Sequence, residues 1–314
     1  MNSFGSTYQP TAINGVNGTN GTRPKQTGSI PSLKLSDGNE IPMLSFGLGT
    51  ALYNGESELV INSALAAIKS GITHLDGAEV YGNEQDLGTA IKRSGVPRSQ
   101  LFITTKVWTV ATNVKAAFDA SLERLGVDYV DLYLVHWPQI ADTPDRLQQI
   151  WSEMEAIKES GKAKSIGVSN FLQDHLETIL RTARIKPVIN QIEYHPYLQH
   201  GNLINFCRQH DIATAAYSPL TAITKGRPGP VDDIYMSLAN KYGVTESEIA
   251  LRWIMDQGIV AVTTSTSAPR IQGYMNMLPS FKLTSAEIQE ISHLGNQKHF
   301  RGFFNDIFSS GDRR

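Results

Sequence analysis

Five polar side chains recur at informative spacing between residues 76 and 169. Asp76, Lys106 and His136 are 30 residues apart, Ser169 follows 33 residues after His136, and Tyr81 lies five residues beyond Asp76. A phenol beside an ammonium group can act as a general acid, because the positive charge favours the phenolate that remains after proton donation. The spacing therefore predicts a proton-transfer site in which Lys106 lowers the pKa of Tyr81 and His136 orients the reacting oxygen.

Each of these side chains also has a purely structural interpretation. Asp76 could bond loop amides, Lys106 could extend its ammonium group to the rim, and His136 could be a hydrogen-bonded buried imidazole. One lysine and one aspartate at the ends of neighbouring strands are costly to bury unless they pair, which favours a functional site. A metal-dependent hydrolase using His74, Asp76 and His136 is another alternative, but it lacks further ligands at strand ends. We therefore predict no metal.

The elements that would position these residues follow a regular alternation. From residue 33 onward, apolar β-branched runs alternate with amphipathic stretches, which predicts an α/β fold with parallel strands joined by crossover helices. The eight predicted strands are Leu44–Thr50, Thr73–Ala78, Leu101–Val107, Tyr129–His136, Ser165–Ser169, Val188–Glu193, Ala213–Tyr217 and Ile259–Thr264. This number favours an eightfold (β/α) TIM barrel, in which active sites form at the carboxyl ends of the strands. A doubly wound sheet is the weaker alternative, because Gly47-Leu48-Gly49-Thr50 lacks the third glycine of a dinucleotide-binding turn.

Further signals lie on either side of the predicted barrel. Asp37-Gly38 between apolar residues predicts an N-terminal β-hairpin that plugs one mouth. Thr284 with Glu287 predicts an extra C-terminal helix beyond the eighth unit, and the aromatic-containing tail 296–314 could cover a barrel mouth. Three helix starts inside the barrel are marked by capping residues, at Asn83, Thr143 and Thr245.

Composition limits the classes of function. The 28 basic and 30 acidic residues give no strong field for nucleic acid or anionic lipid, and no apolar stretch is long enough to span a membrane. Cys207 is the only cysteine, and no secretory signal begins the chain, so we expect a cytoplasmic protein. Residues 1–29 are rich in Asn, Gly, Thr and Ser and are predicted to be a disordered N-terminal tail. Residues 30–314 are predicted to form one domain, present as a monomer or weak dimer.

The chain resembles the aldo-keto reductase family over roughly residues 33–295. The motifs that carry the resemblance are Leu75-Asp76-Gly77-Ala78-Glu79-Val80-Tyr81-Gly82-Asn83-Glu84, Ile103-Thr104-Thr105-Lys106-Val107-Trp108, Leu134-Val135-His136-Trp137-Pro138, Gly167-Val168-Ser169-Asn170-Phe171, Asn190-Gln191-Ile192-Glu193-Tyr194-His195-Pro196 and Tyr217-Ser218-Pro219-Leu220. They occur in order and at the family's spacing. The resemblance implies the same barrel fold and a reductase of carbonyl compounds.

Roles for individual residues follow from this resemblance. It implies a catalytic tetrad of Asp76, Tyr81, Lys106 and His136, with NADPH as the cofactor. The cofactor-binding residues that it implies are Gly49, Thr50, Asp76, Ser169, Asn170, Gln191, Tyr217, Ser218, Leu220, Thr264, Ser265 and Arg270. In this set the nicotinamide would be held by Ser169, Asn170 and Gln191 and would stack on Tyr217. The substrate would contact His136, Trp108 and Trp137.

The chain departs from the family pattern at two places. Thr264 stands where a lysine is usual, yet the nearby hydroxyls and Arg270 can still bind a ribose phosphate, so NADPH is favoured over NADH. Ala51-Leu52 stands where many relatives have a tryptophan, which predicts a smaller pocket wall. The cofactor loop resembles the fungal branch that reduces keto esters, conjugated polyketones and α-keto lactones such as ketopantoyl lactone.

These inferences combine into one expected activity and one alternative. We expect NADPH-dependent reduction of an aldehyde, ketone or α-dicarbonyl to an alcohol, with Tyr81 as the general acid. The alternative is a cofactor-binding regulatory subunit that senses redox state and has little turnover. The presence of the complete tetrad in this chain argues against it, because a sensor does not need all four groups.

Overall fold

The computed structural model describes residues 28–109 and 113–314. The predicted disordered tail, residues 1–29, lies outside this part of the chain except for its last two residues. The strands within the described residues are β1 Ser32–Lys34, β2 Glu40–Pro42, β3 Leu44–Gly47, β4 His74–Asp76, β5 Phe102–Val107, β6 Val130–Val135, β7 Ala163–Ser169, β8 Ile189–Glu193, β9 Ala213–Tyr217 and β10 Val260–Thr263.

Strands β3 to β10 close into a parallel barrel. Each strand pairs with the next along the chain, and β10 pairs with β3 to complete the ring. The pairing brings Gly47 beside Asp76 and Asp76 beside Thr104, so the carboxyl ends of neighbouring strands share one rim. The predicted eightfold (β/α) TIM barrel is confirmed. Its first strand ends at Gly47 rather than at the predicted Thr50, because Thr50 already belongs to a short 3-10 turn.

Helices surround the barrel and form the outer layer. Their bounds are α1 Ser57–Lys69, α2 Glu84–Ser94, α3 Val114–Leu125, α4 Pro144–Glu159, α5 Gln173–Leu180, α6 Leu203–Gln209, α7 Thr221–Thr224, α8 Asp232–Tyr242, α9 Glu246–Met255, α10 Ala268–Met277 and α11 Ser285–Gly295. Thr284 caps α11 as predicted, since its hydroxyl accepts a bond from the Glu287 amide at 3.3 Å while the Glu287 carboxylate accepts from the Thr284 amide at 2.7 Å. The extra C-terminal helix is confirmed.

Asn83 precedes α2 as predicted but does not cap it. Its side-chain amide instead donates to the backbone oxygens of Leu48 and Leu52, at 2.9 and 2.8 Å. Asn83 therefore ties the loop after β4 to the loop after β3. This bond fixes two of the loops that form the rim of the barrel.

The N-terminal hairpin of β1 and β2 closes the end of the barrel where the strands begin. Its turn contains Gly38, whose φ of +90° favours glycine. Leu35 and Ile41 are buried in one cluster with barrel residues of β5, β6, β8, β9 and β10. Asp37 also pairs with Lys158 of α4 at 2.7 Å. The predicted plug is confirmed.

The main core lies between the outer face of the barrel and the helices. Trp151 of α4 and Trp253 of α9 are among its largest fully buried side chains. The indole of Trp253 donates to the hydroxyl of Ser292 at 3.1 Å, which joins α11 to α9. No helix in the described ranges is both long and apolar enough to cross a membrane.

Candidate active site

A cavity of about 510 Å³ opens at the carboxyl ends of the barrel strands. The predicted site residues that line it are Gly49, Thr50, Asp76, Tyr81, Trp108, His136, Asn170, Gln191, Tyr217, Ser218, Leu220 and Thr264. The predicted residues that are not part of its lining are Lys106, Ser169, Ser265, Arg270 and Trp137. The structure thus brings most of the predicted set to one opening.

A buried ion pair lies at the centre of this cavity's floor. Asp76 ends β4 and Lys106 is the penultimate residue of β5, so the two side chains meet inside the barrel. The Lys106 ammonium donates to the Asp76 carboxylate at 2.5 Å, to the Gly77 oxygen at 2.8 Å and to the Tyr81 hydroxyl at 3.4 Å. Both charged side chains are almost fully buried, so removing one partner would leave the other charge uncompensated.

Lys106 keeps its positive charge within this ion pair. Burial alone would lower the pKa of Lys106, but the adjacent Asp76 carboxylate and the Tyr81 phenol raise it, and the net change is upward. Lys106 is therefore an ammonium group at neutral pH. Tyr81, in the short 3-10 turn Glu79–Tyr81 after β4, has this cation next to its oxygen.

The pKa of Tyr81 differs from the sequence-based prediction. Burial is the largest influence and raises the pKa above its ordinary value, Lys106 lowers it, and the charge of Asp76 raises it again. The predicted net lowering of the Tyr81 pKa is therefore wrong, because desolvation outweighs the nearby ammonium group. The phenol remains protonated at neutral pH, which is the state that a proton donor requires.

His136 is the neutral member of the group. Burial lowers the pKa of its imidazole well below the ordinary value, and the charge of Lys106 lowers it further. Its ring lies edge-to-face with Tyr81, with 5.6 Å between the ring centroids, and its Nδ1 has no hydrogen-bond partner among the described residues. A neutral imidazole at the cavity wall can orient an oxygen atom by hydrogen bonding without adding a second positive charge.

A hydrogen-bonded network joins the floor of the cavity to its far side. Gln191 of β8 donates from its amide to the second oxygen of Asp76 at 2.7 Å. Ser169 of β7 donates to the backbone oxygen of Gln191 at 2.7 Å. Tyr217 of β9 donates to the side-chain oxygen of Asn170 at 2.8 Å. Each of these side chains is fixed in orientation by at least one bond within the protein.

Asn170 adopts a backbone conformation that is uncommon for a residue with a side chain. Its φ of +61° lies in the left-handed region, and its amide donates to the backbone oxygen of His136 at 2.9 Å. Strained residues of this kind persist where the surrounding contacts hold them. The Asn170 amide therefore has a defined direction at the cavity edge.

The loop after β10 brings hydroxyl groups to the other end of the cavity. Thr263 and Thr264 line the cavity, and the hydroxyl oxygens of both are buried without a partner in the described part of the chain. The Ser265 hydroxyl accepts from the Ser267 amide at 3.1 Å and is thus already engaged. Arg270 is exposed in the first turn of α10, beyond the cavity lining.

Four aromatic side chains form an aromatic wall at the mouth of the cavity. We use this name for Trp108, Trp137, Phe303 and Phe304. Trp108 stacks on Trp137 at 5.1 Å and Trp137 stacks on Phe304 at 5.5 Å, measured between ring centroids. Phe303 meets Tyr217 edge-on at 5.4 Å. The tail 296–314 therefore covers part of the mouth, as its aromatic content predicts.

Comparison with known proteins agrees with this geometry. The model of the aldo/keto reductase family matches residues 45–296. The chain belongs to the aldo/keto reductase family. It is accordingly an oxidoreductase of carbonyl compounds, and the resemblance read from its motifs is confirmed.

Three relatives illustrate the similarity of this aldo/keto reductase to named proteins. An NAD/NADP-dependent indole-3-acetaldehyde reductase of Schizosaccharomyces pombe is 39% identical, with 85% of this chain and 96% of the relative covered. An NADPH-dependent alpha-keto amide reductase of Saccharomyces cerevisiae is 36% identical, with 87% and 94% covered. The crystal structure of a Bombyx mori aldo-keto reductase in complex with NADP has a TM-score of 0.80 and 34% identity, with 88% and 96% covered. The two yeast relatives fit the predicted fungal branch.

The structure of this aldo/keto reductase adds site residues that the sequence analysis missed. Tyr53, Lys225, Thr263, Phe303 and Phe304 all line the cavity. The aromatic content of the tail was a usable signal for the two phenylalanines. Neither Tyr53 nor Lys225 belongs to a motif, and both reach the cavity only because their loops fold over the rim.

His74 does not take part in the site. One ring nitrogen lies 3.2 Å from the Pro42 oxygen and the other lies 3.0 Å from the Thr104 hydroxyl, deeper in the barrel. Both ring nitrogens are thus engaged away from the cavity. The alternative of a hydrolase metal site built on His74, Asp76 and His136 is inconsistent with this placement.

Proposed function

We propose that this aldo/keto reductase uses NADPH to reduce an aldehyde, ketone or α-dicarbonyl to an alcohol, with Tyr81 as the proton donor. The observation that carries the proposal is the contact of 3.4 Å between the Tyr81 hydroxyl and the Lys106 ammonium at the cavity floor. A protonated phenol beside a permanent cation can donate a proton and leave a stabilised phenolate.

The residues around the cavity fit a nicotinamide dinucleotide. Two buried hydroxyls, of Thr263 and Thr264, have no partner in the described residues, and Lys225 adds a positive charge to the lining. Gly49 leaves space near the catalytic phenol, since a Cβ there would lie 3.0 Å from the Tyr81 ring. All three compared proteins are named for NADPH or NADP, one of them together with NAD. These features support NADPH as the cofactor.

We assign the binding residues along the length of the cavity. Ser169, Asn170 and Gln191 would hold the nicotinamide carboxamide, with Tyr217 against the ring face. The backbone turn at Gly49 and Thr50 and the loop containing Ser218 and Leu220 would follow the pyrophosphate. Thr264, Ser265 and Arg270 would bind the ribose phosphate. When bound, NADPH supplies the hydride that amino acid side chains cannot provide.

The protein's own contribution is to place and transfer one proton. Neutral His136 orients the carbonyl oxygen, and Tyr81 donates its phenolic proton to that oxygen as the carbon is reduced. Lys106 then stabilises the Tyr81 phenolate, while Asp76 keeps Lys106 in place through its bond of 2.5 Å. Solvent returns the proton to Tyr81 after the alcohol leaves. Charge stabilisation in a buried site is stronger than in water, which makes this arrangement effective.

The pocket wall supports carbonyl substrates with a flat or apolar substituent. Trp108 and the neighbouring aromatic side chains offer ring faces on one side. The departure at Ala51-Leu52 leaves no tryptophan there, and Tyr53 lines the cavity mouth instead. We propose aldehydes and keto amides, the substrate classes in the names of the two yeast relatives, together with α-dicarbonyls as the first substrates to test.

Replacement of Tyr81 by phenylalanine tests the proposed acid. Tyr81→Phe should lower kcat by roughly two to four orders of magnitude, because general-acid catalysis contributes about that much. The affinity for NADPH, measured by fluorescence titration, should change by less than about twofold. Steady-state assays with NADPH and a panel of aldehydes and α-dicarbonyls provide the readout.

Tyr133→Phe is the matched control for this substitution. Its buried hydroxyl has no partner in the described part of the chain, and its ring packs against Phe118 outside the barrel. It should keep full activity. Undiminished turnover in Tyr81→Phe would refute the assignment of the acid. Tight NADPH binding without turnover on any carbonyl would favour the regulatory alternative, which the names of the relatives do not support.

We also propose that the protein is cytoplasmic, that it does not bind nucleic acid, and that it is a monomer or weak dimer. The location rests on its single cysteine, Cys207, which is buried and unpaired. Sedimentation of the purified protein over a range of concentrations would determine its assembly state. Fluorescence microscopy of a tagged protein would test the location.

A further inference from the structure

Glu193, the last residue of β8, binds the backbone of the C-terminal tail. Its carboxylate accepts from the amide of Gly302 at 2.7 Å and from the amide of Phe303 at 3.2 Å. The His195 ring lies 3.1 Å from the same carboxylate. More than 100 residues of sequence separate Glu193 from these two amides. The contact therefore joins the rim of the barrel to a distant segment.

The surroundings of this carboxylate make the contact strong. The side chain of Glu193 is 1% exposed, so water competes little for its oxygens. Hydrogen bonds to an ionised group are stronger than those between neutral groups. A buried carboxylate that lost these amide donors would pay a desolvation penalty without compensation. The tail is thus held at this point more firmly than by apolar packing alone.

Phe303, whose amide takes part in this contact, and the next residue, Phe304, belong to the aromatic wall. Phe303 packs edge-on against Tyr217, and Phe304 stacks on Trp137, which stacks in turn on Trp108. Phe303 and Phe304 line the cavity, whereas Glu193 does not. The position of the aromatic wall therefore depends on where Glu193 holds the backbone at Gly302 and Phe303.

We propose that Glu193 is a positioning residue that holds the tail against the barrel and thereby sets the shape of the substrate-binding wall. This inference rests on the proposed carbonyl reductase function. Glu193 touches neither the reacting groups nor the cavity, so it acts through Gly302 and Phe303. It should influence large substrates, which need the wall, more than small ones.

Glu193→Gln is the first test. The amide removes the charge and presents at most one acceptor oxygen to the two backbone N–H groups. The KM for a bulky aromatic ketone should rise roughly tenfold, since bonds to charged groups are worth about that factor or more. The kcat for a small α-dicarbonyl and the Kd for NADPH should stay within about twofold. Hydrogen exchange should become faster in tail peptides that contain residues 300–308.

Gly302→Ala tests the same contact from the side of the tail. A Cβ on Gly302 would lie 2.9 Å from the Glu193 carboxylate oxygen, so the backbone at Gly302 must shift. Gly311→Ala is the control, because a Cβ there meets no atom within 4 Å. Gly302→Ala should reproduce both the faster tail exchange and the higher KM, and Gly311→Ala should show neither.

A double substitution separates positioning from a general effect on the barrel. If Glu193 acts through the aromatic wall, Glu193→Gln and Phe304→Ala change KM by the same route, although the two residues lie in different elements. Their effects on KM, expressed as free energies, should therefore not add in the double variant. Additive effects, or an equal loss of kcat for all substrates with unchanged tail exchange, would overturn the proposal. The exchange measurement does not depend on turnover. Absence of activity in the wild type would thus refute the proposed function, while the exchange measurement would still test whether Glu193 holds the tail.

Discussion

Lys225 carries the one positive charge in the cavity lining within the described residues. It follows α7, and its ammonium group lies 5.3 Å from the centre of the Phe303 ring. Arg270, which was predicted to meet the ribose phosphate, is exposed outside the lining. Of these two cations, only Lys225 lines the cavity in which we propose that the dinucleotide binds.

Lys225→Met should weaken binding of NADPH. We expect the Kd to rise roughly three- to tenfold at low salt, because a partly exposed charge contributes modestly and salt screens it. Fluorescence titration at several salt concentrations would measure both the Kd and its salt dependence. Lys92→Met, in the last turn of α2 and outside the cavity lining, is the control. Equal Kd values for the two variants would show that Lys225 does not contact the cofactor.

The sequence predicts the meeting of the tetrad but not its electrostatics. Asp76, Lys106 and His136 occupy equivalent positions in successive β/α units, so the repeat itself brings them to one rim. The pKa of Tyr81 depends instead on burial by loops from several parts of the chain. Such burial cannot be read from spacing, which explains why the predicted direction was wrong.

Two glycines in the middle of helices differ in the space that neighbouring residues leave around them. Gly88 lies in α2, where a Cβ would approach the backbone oxygen of Leu125 in α3 to 2.4 Å. Gly273 lies in α10, where the nearest atom, of Glu248, is 3.8 Å away. The first glycine permits a close helix contact, whereas the second leaves room for a methyl group.

Opposite effects on stability should follow from alanine at these positions. Gly273→Ala should stabilise by up to ~1 kcal/mol, because alanine favours the helix. Gly88→Ala should destabilise by about 1–3 kcal/mol, since the clash with rigid backbone outweighs that gain. Urea unfolding would give both free energies. A stabilising Gly88→Ala would mean that α2 and α3 can separate without cost.

Elements with strong local signals were predictable, and contacts between distant segments were not. The predicted strand Ala213–Tyr217 is observed with the same limits, and Thr284 forms its predicted cap. Asn83 was assigned a cap because of its local sequence, but long-range acceptors in the loop after β3 compete for its amide. The bond between Glu193 and Gly302 likewise has no local signature.

At the scale of the whole molecule, buried histidines link stability to pH. Burial is the main cause that lowers the pKa of His74 and of His200 to about 4. In the unfolded chain these imidazoles titrate near pH 6.5. Between these values the unfolded state binds more protons than the folded state, so stability falls as the pH drops from about 6.5 towards 4.

His200→Gln should reduce this loss of stability. Glutamine can retain a donor to the Glu193 backbone oxygen, which His200 Nε2 contacts at 2.5 Å, but it does not titrate. The decrease in unfolding free energy between pH 6.5 and 4.5 should be smaller in the variant by roughly 2 kcal/mol. Urea unfolding across this range would measure it. Parallel curves for both proteins would exclude His200 as a source of the dependence.

The hairpin plug and the C-terminal tail lie at opposite ends of the barrel. Residue 28 is exposed and lies just before the hairpin at the closed end, whereas residues 301–314 lie beside the mouth, where Arg301 contacts the Arg314 backbone oxygen. A fusion partner or surface tether joined directly before residue 28 would therefore start at the closed end of the barrel, away from the entrance. The same attachment after Arg314 would lie beside the cavity mouth, where it could obstruct the entry of reactants.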